Sequence, residues 1–346
     1  MRIRFTSYDL GVDLGTSNVL IYRTDSGITT REPSVVAMDR NTGKVLQVGA
    51  AARNMLGRTP GNVVAMHPLK DGVIADHEMT VKMLTKFFKD SGTSSVFAPK
   101  PRVIVSVPSN ATQMDERAVI NAALEAGARR VYLIEEPLAA ALGAGLDLNS
   151  PRGHLVVDIG AGTTDIAVLT MNGVANSASI KIAGNHFDEL IMRYVRGKHR
   201  VVIGPSTAED IKIQIGGVFP RHEELTMTVR GKEAKTGMPR DVKLTSSEIC
   251  GILEKPASRI IDEIRSVLDD TSPELVGDIA DTGVVLTGGG SQIWGMDALL
   301  RSAGIACTIA EDPASCVAYG CGKSLSWISK MTEGPINLAR KRLMRE

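Results

Sequence analysis

Two short stretches of the chain place an acid and a glycine turn at matching positions. Val12–Tyr22 reads VDLGTSNVLIY and Val156–Leu169 reads VVDIGAGTTDIAVL. In each, an apolar strand ends at an Asp (Asp13 or Asp158), a turn of small residues follows, and a second apolar strand leaves it. Val, Ile and Leu flank both turns, as strand propensity requires. In Gly15-Thr16-Ser17-Asn18 and in Gly160-Ala161-Gly162-Thr163-Thr164 the small side chains let backbone N–H groups converge on an anion. A bare carboxylate beside such a nest repels a phosphate. A Mg²⁺ ion between them removes the conflict, because Mg²⁺ keeps most of its waters and takes one or two carboxylates. One such hairpin alone is most simply a turn served by its own Asp. A pair from the two halves of the chain is read as a grip on a polyphosphate from both sides.

Two further segments fit the same ligand. Gly288-Gly289-Gly290-Ser291 follows the strand GVVL. Three consecutive glycines each weaken a helix by about 1 kcal/mol relative to Ala, and they suit a place where a flat ring or a sugar lies on bare backbone. In Glu209-Asp210-Ile211-Lys212, Glu209 and Lys212 are three apart and share a helix face. They read either as contacts to a ribose and a base edge or as a solvated salt bridge. The common nucleotide motifs are absent. Gly322-Lys323-Ser324 resembles the end of a Walker loop, but Val317 stands where its first Gly belongs, and no G-x-G-x-x-G follows a strand.

The elements that must hold these residues alternate between strand and helix. EPSVVAMD, GKVLQVG, PRVIVSVPS and VYLIEEP read as strands; MTVKMLTKFFKD and DERAVINAALEAGA read as helices. In the second half HFDELIMRYVRGK, TAEDIKIQIGGVF, GMDALL and CVAYGCGKSLSWISKM read as helices, and residues 224–244 as a hairpin-rich insertion. LTSSEICGILEKPASRIIDEIRSVLDD is a long helical region with Ser246 or Ser247 as its cap and a kink or break at Pro256. The pattern gives the α/β class with mostly parallel central strands, and the echoed hairpins point to two lobes of related architecture.

The 346 residues suggest about two domains. Lys and Arg total 40 against 39 Asp and Glu, and aromatics are 4%, so neither surplus positive charge nor stacking platforms argue for a nucleic-acid binder. Cys250, Cys307, Cys316 and Cys321 form no C-x-x-C pair, which favours buried free thiols in a reducing compartment. The six histidines are scattered and receive no catalytic part. No run reaches the roughly 18 apolar residues of a membrane span, and MRIRFTSYDLG lacks the apolar stretch of a secretory signal. A cytoplasmic location is expected.

The segments VDLGTSN, IEEPLAAALGAG, VVDIGAGTTDIAV, TAEDIKIQIG and LTGGGS, in this order and spacing, resemble the actin-fold ATPases, and within them the MreB-like bacterial actins. EPSVVA, HPLKDGVIAD and SPELVGDI strengthen the narrower match, which runs from about Gly11 to about Lys330. The resemblance implies an α/β, actin-like ATPase fold: two lobes, each with a duplicated ribonuclease-H-like core, with ATP and Mg²⁺ in the cleft between them. It implies a lobe I at 1–149 with a small insert at about 33–70, and a lobe II at 150–321 with an insert at about 186–245. Residues 322–346 then form a C-terminal helix returning to lobe I and a basic tail.

By position, Thr16, Ser17 and Asn18 resemble the first phosphate loop, and Gly160, Ala161, Gly162 and Thr163 the second. Asp13 and Asp158 match the acids that orient hydrated Mg²⁺; Glu209, Asp210, Ile211 and Lys212 fall on the ribose and adenine segment; Gly288, Gly289, Gly290 and Ser291 match the adenosine loop. Glu136 matches the residue that orients or deprotonates the attacking water, with Thr163 as its helper, and Glu135 points away if both lie on one strand. The chain departs from the family pattern at Ser17, Arg31, Ala161 and Asp165, where Ala, Asn, Gly and Glu are usual. A positive φ at Ala161 would cost about 1 kcal/mol; a negative φ would add only a methyl.

The resemblance also implies head-to-tail self-assembly into filaments, attachment to the inner face of the cell membrane, and work with membrane proteins of the cell-wall elongation machinery that keeps a cell rod-shaped. Val96 and Phe97, amid small and polar residues, and the basic run Arg340, Lys341, Arg342 and Arg345 are the candidate lipid contacts. Two buried side chains supply about 2–3 kcal/mol each, so firm attachment requires many copies in one filament. The alternatives on the same fold are a small-molecule kinase and a chaperone-type ATPase that does not polymerise.

Overall fold

A computed structural model describes residues 8–93 and 99–328. Its frame is a pair of five-stranded sheets with one and the same topology. In the first, strands Leu10–Leu14, Asn18–Arg23, Gly27–Pro33, Arg102–Val107 and Arg130–Glu135 lie in the spatial order 3-2-1-4-5 by their place in the chain. In the second, His154–Ile159, Thr164–Thr170, Gly173–Ile180, Val284–Thr287 and Cys307–Ile309 repeat that order. Each echoed hairpin therefore opens an equivalent sheet, with Asp13 opposite Leu20 and Asp158 opposite Asp165.

The sheets are mixed rather than mostly parallel. The first three strands of each pair antiparallel, and the fourth and fifth join parallel. The connections dictate this. Three residues separate Leu14 from Asn18, enough only for a hairpin, whereas the parallel steps are bridged by helices such as Gln113–Glu125.

Alternate residues of the strands face different layers. Val103 and Val105 join the core under helices His77–Phe88 and Gln113–Glu125, while Ile104 faces the opposite side. In the second sheet Val157 and Ile166 face the outer helices, and Val156 and Ala167 face inward. The inward sets of both sheets meet in one shared core with helices Glu136–Gly143 and Cys316–Ile328. These two helices touch backbone to backbone. A Cβ on Gly320 would lie 1.8 Å from the Ala139 carbonyl oxygen, and one on Gly143 would lie 1.8 Å from that of Cys316.

Two smaller sheets decorate this frame: Val36–Asp39 with Val45–Val48 and Val63–Met66, and Val201–Val202 with Thr226–Glu233 and Pro239–Thr245. The latter contains the expected hairpin. The long helix is a single element, Ser246–Asp269, undivided at Pro256. Its buried stripe, including Leu253, Ala257 and Ile260, holds it together where Pro removes one hydrogen bond. Its cap is Thr245 rather than Ser246 or Ser247: the Glu248 N–H donates to Thr245 Oγ1 at 3.3 Å, and Glu248 Oε2 accepts from the Thr245 N–H at 3.1 Å. All four cysteines are buried and free. No helix among the described residues is long and apolar enough to cross a membrane. Val96, Phe97 and the basic run 340–345 lie outside the described residues.

The close helix pair yields a stability test. Gly320→Ala drives a methyl into the Ala139 backbone and should cost about 2–3 kcal/mol by forced overpacking. Gly251→Ala, whose Cβ meets nothing within 4 Å, should not destabilise. Equal melting temperatures for the two variants and the parent would show that the helices separate freely.

Candidate functional site

The two echoed turns meet at the cleft where the sheets abut. A cavity of about 280 Å³ is lined by Asp13, Thr16, Ser17 and Asn18 from the first sheet's hairpin and by Asp158, Gly160, Ala161, Gly162 and Thr163 from the second's. Glu136, Glu209, Lys212, Gly288, Gly289 and Gly290 complete the expected lining. Three expected residues do not line it. Ile211 is fully buried in the second sheet's core, Asp210 is exposed, and Ser291 is buried with its hydroxyl donating to the Gly288 carbonyl at 2.7 Å. The helix Pro205–Gln214 turns one face to the cleft, so of four successive residues only Glu209 and Lys212 reach it.

Both turns are held by backbone contacts that leave little room. The Gly160 N–H donates to the Thr163 carbonyl at 2.9 Å, and the Asn185 N–H donates to the Ala161 carbonyl at 2.8 Å. Thr16 Oγ1 accepts from the Gly72 N–H at 2.9 Å, and a Cβ on Gly162 would lie 2.8 Å from that same Thr16 oxygen. The two turns are thus in contact across the cleft. Gly288 has φ +80°, and a Cβ there would meet the Ile159 carbonyl oxygen at 2.2 Å. The glycine run presses on the second hairpin and exposes backbone toward the cavity. Ala161 is not among the residues of positive φ, so its methyl replaces a glycine hydrogen without backbone strain.

The floor is acidic. Asp158, Glu136 and Asp165 are buried and Asp13 is half-buried at its edge. Burial first, and the neighbouring Asp158 second, push the Asp13 carboxyl up to about 7. Burial likewise raises Asp158 to about 7, against a hydrogen bond from Thr287 Oγ1 at 2.8 Å. Glu136 is raised well above the usual range by burial and then by Asp165, Asp13 and Asp158 in turn. Asp165 is raised by burial; its Oδ1 accepts from the Ser109 N–H of the other half at 3.2 Å, and its Oδ2 has no partner. No salt bridge to any of the four exists among the described residues. Such a cluster is built to receive positive charge from a ligand.

Nor do three or more His, Cys, Asp or Glu side chains converge to ligate an ion directly, among the described residues. The donor set therefore fits a cation that brings its own waters and a phosphate partner, as Mg²⁺ does.

Glu136 sits differently from the strand position expected for it. The strand ends at Glu135, and Glu136 opens the helix Glu136–Gly143 with Pro137 second. The Pro ring fixes the first helical turn, and the chain direction changes between the two acids. Glu136 lines the cavity; Glu135 does not.

Glu209 and Lys212 do not bridge each other. Arg53, on the short helix Ala50–Arg53, pairs with Glu209 across the cleft, and Lys212 Nζ donates to Asp188 Oδ2 at 2.9 Å and to the Gly184 carbonyl at 3.1 Å. The reading from sequence missed Arg53, Thr287 and Gly72, each brought in by chain distant from both turns, and named Asp165, next to the second turn, only as a departure from the family pattern. Gly72 alone had a local signal, in the segment HPLKDGVIAD.

The MreB/Mbl protein family matches residues 7–333. The chain is 48% identical over 324 residues to the cell shape-determining protein Mbl of Bacillus cereus, covering 93% of this chain and 97% of that one. It is 48% identical over 327 residues to the cell shape-determining protein MreB of Escherichia coli, covering 93% and 94%. Among solved structures it is similar to MreB 5 of Spiroplasma citri bound to AMPPNP: TM-score 0.89, 37% identity, 94% of this chain and 98% of that one. The MamK double helical filament shares the fold at TM-score 0.79 and 24% identity. With its duplicated sheets, its facing acid-tipped turns and these matches over nearly its whole length, the chain belongs to the MreB/Mbl family of actin-like proteins.

Proposed function

We propose that the chain is a filament-forming, ATP-binding cell-shape protein that hydrolyses ATP slowly in the cleft between its two sheets and organises wall synthesis at the inner face of the membrane. The observation that carries this reading is the meeting of the two hairpin turns over a cluster of four acids, three of them buried. A triphosphate held by Thr16, Ser17 and Asn18 on one side and Gly160 to Thr163 on the other favours the closed arrangement, because only that arrangement makes both sets of contacts. Closed subunits with complementary ends stack head to tail, and such contacts propagate without closing on themselves. The lobes are assigned as 1–149 and 150–321; the expected start of the last helix at 322 moves back to 316, because the helix Cys316–Ile328 runs across that boundary and packs in the core shared by both sheets.

Asp13 and Asp158 are the residues that would hold the water shell of Mg²⁺, which neutralises phosphate charge when bound. A bound cation would favour the ionised form of Asp13 and Asp158, opposing the burial that raises both to about 7. Glu136 lines the cavity from a helix N-terminus, with a carboxyl whose raised proton affinity suits a general base. It accepts a proton from the attacking water as the oxygen bonds to the γ-phosphorus and the bond to ADP breaks, leaving ADP and phosphate. Thr163, buried beside Asp165, positions that water. Glu209 and Lys212 contact ribose or base edge, and Gly288, Gly289 and Gly290 give the adenosine a bare backbone surface. The likeness to MreB 5 of Spiroplasma citri, a protein seen with AMPPNP and with ADP, supports ATP as the ligand.

Three measurements test this reading. Glu136→Ala should retain nucleotide binding and lose most phosphate release, with Glu135→Ala much milder; unchanged release in Glu136→Ala removes that residue from the mechanism. Light scattering should rise only with ATP and Mg²⁺, and the polymer should pellet with anionic liposomes less well after Val96→Ser/Phe97→Ser; ATP turnover without scattering or filaments favours the kinase or chaperone-type alternatives. The third concerns pH. A raised folded-state carboxyl pKa makes the free protein lose stability as pH climbs from roughly 4 toward 7. Because Mg²⁺ and nucleotide bind the ionised acids, affinity should fall by up to about tenfold per bound proton and pH unit below 7. In Asp13→Asn that slope should flatten; an unchanged pH profile by calorimetry separates Asp13 from the cation.

A further inference from the structure

A second cavity, of about 470 Å³, lies between the helix Gly184–Tyr194 and the middle of the helix Ser246–Asp269. Its walls carry four basic side chains, His186, Arg193, Lys255 and Arg259, and no carboxylate. Arg193, Lys255 and Arg259 are exposed and form no salt bridge among the described residues. Of the acids on the same two helices that have a partner or a cavity of their own, Asp188 pairs with Lys212. Glu189 and Glu254 line neighbouring cavities, and Glu248, which accepts from the Tyr194 hydroxyl, is bridged by Lys198. In a chain whose charges nearly cancel, a concave site with four basic groups and no acid is a local departure.

The floor is apolar and its backbone is unusual. Leu190, Ile252 and Pro256 are half-buried there. Pro256 has no N–H to give to the Ile252 carbonyl, the acceptor four residues back in the helix, and both residues face the groove. Gly251 forms a low saddle at one end, with open space where a side chain would stand. A narrow apolar trough, an unused carbonyl and a basic rim together match an extended or helical peptide carrying carboxylates and aliphatic side chains.

We propose that this groove is a docking site for an acidic, leucine-bearing segment of a partner protein. Charge complementarity selects this occupant. The chain's own basic run at Arg340, Lys341 and Arg342 is repelled by the rim, and a polynucleotide leaves the apolar floor uncovered. The groove is separate from the nucleotide cavity: no residue lines both. The proposal does not depend on ATP hydrolysis.

The test uses the full chain and a fluorescein-labelled peptide with Glu and Leu at helical spacing, followed by fluorescence polarisation at low and at physiological salt. Binding should weaken with salt and fall at least about tenfold in Arg193→Glu/Arg259→Glu. Gly251→Leu, which fills the saddle without changing charge, should also weaken it, while both variants keep their melting temperature and ATP-dependent scattering. Three results overturn the proposal: peptide affinity unchanged in both variants; competition by polyuridylate or phosphatidylglycerol vesicles as strong as by unlabelled peptide; or loss of polymerisation in the charge-reversed variant, which makes the groove a contact between subunits.

Discussion

Crowding four carboxylates, three of them buried, with no salt bridge to any of them among the described residues, is the constraint around which the molecule is arranged. Asp13, Asp158 and Asp165 each raise the proton affinity of a neighbouring acid. A folded protein tolerates this only when the groups stay protonated or when a ligand supplies the missing charge. The acids thus tie the free and nucleotide-bound states to different protonation states. They also explain why the surrounding backbone is so closely fixed: small shifts in such a cluster change which carboxyl holds a proton.

The fixing comes from the layer beneath. Helices Glu136–Gly143 and Cys316–Ile328 share a core with the inward faces of both sheets. Their glycines permit a separation that any side chain would prevent. Glu136 stands at the start of one of these helices, so the catalytic candidate is attached to the joint itself. Motion of one sheet against the other must pass through the same pair of helices. Arg53 with Glu209 and the Ser109 N–H with Asp165 cross the cleft at other points and oppose its opening.

The chain's departures from the family pattern become small in this setting. Ala161 has a permitted backbone geometry and lines the cavity beside Gly160. Arg31, on an edge strand, donates to Ser315 and pairs with Asp312 at 3.6 Å, next to the glycine run. Asp165 is shorter by one methylene than the usual Glu, yet it stays buried opposite Asp158 and accepts from the Ser109 N–H.

What could be read from the residues alone was local. The D-x-G turns, their flanking β-branched strands and the triple glycine declared themselves because hairpin and nest chemistry is set within a few residues. The two opening hairpins followed, since so short a turn leaves only an antiparallel partner, whereas the full order of each sheet, mixed rather than mostly parallel, was set by the longer connections. The helix face at Glu209 and Lys212 was legible from spacing, but their partners were not, because Arg53 and Asp188 come from 156 and 24 residues away. Thr287 stayed hidden for the same reason: a parallel strand from far along the chain sets it alongside Asp158, and no spacing rule carries that register. The position of Glu136 was decided by tertiary packing too. Sequence gave two adjacent acids before a proline, and only the end of the strand, set by its neighbour Arg102–Val107, determined which of them opens the helix and enters the cleft.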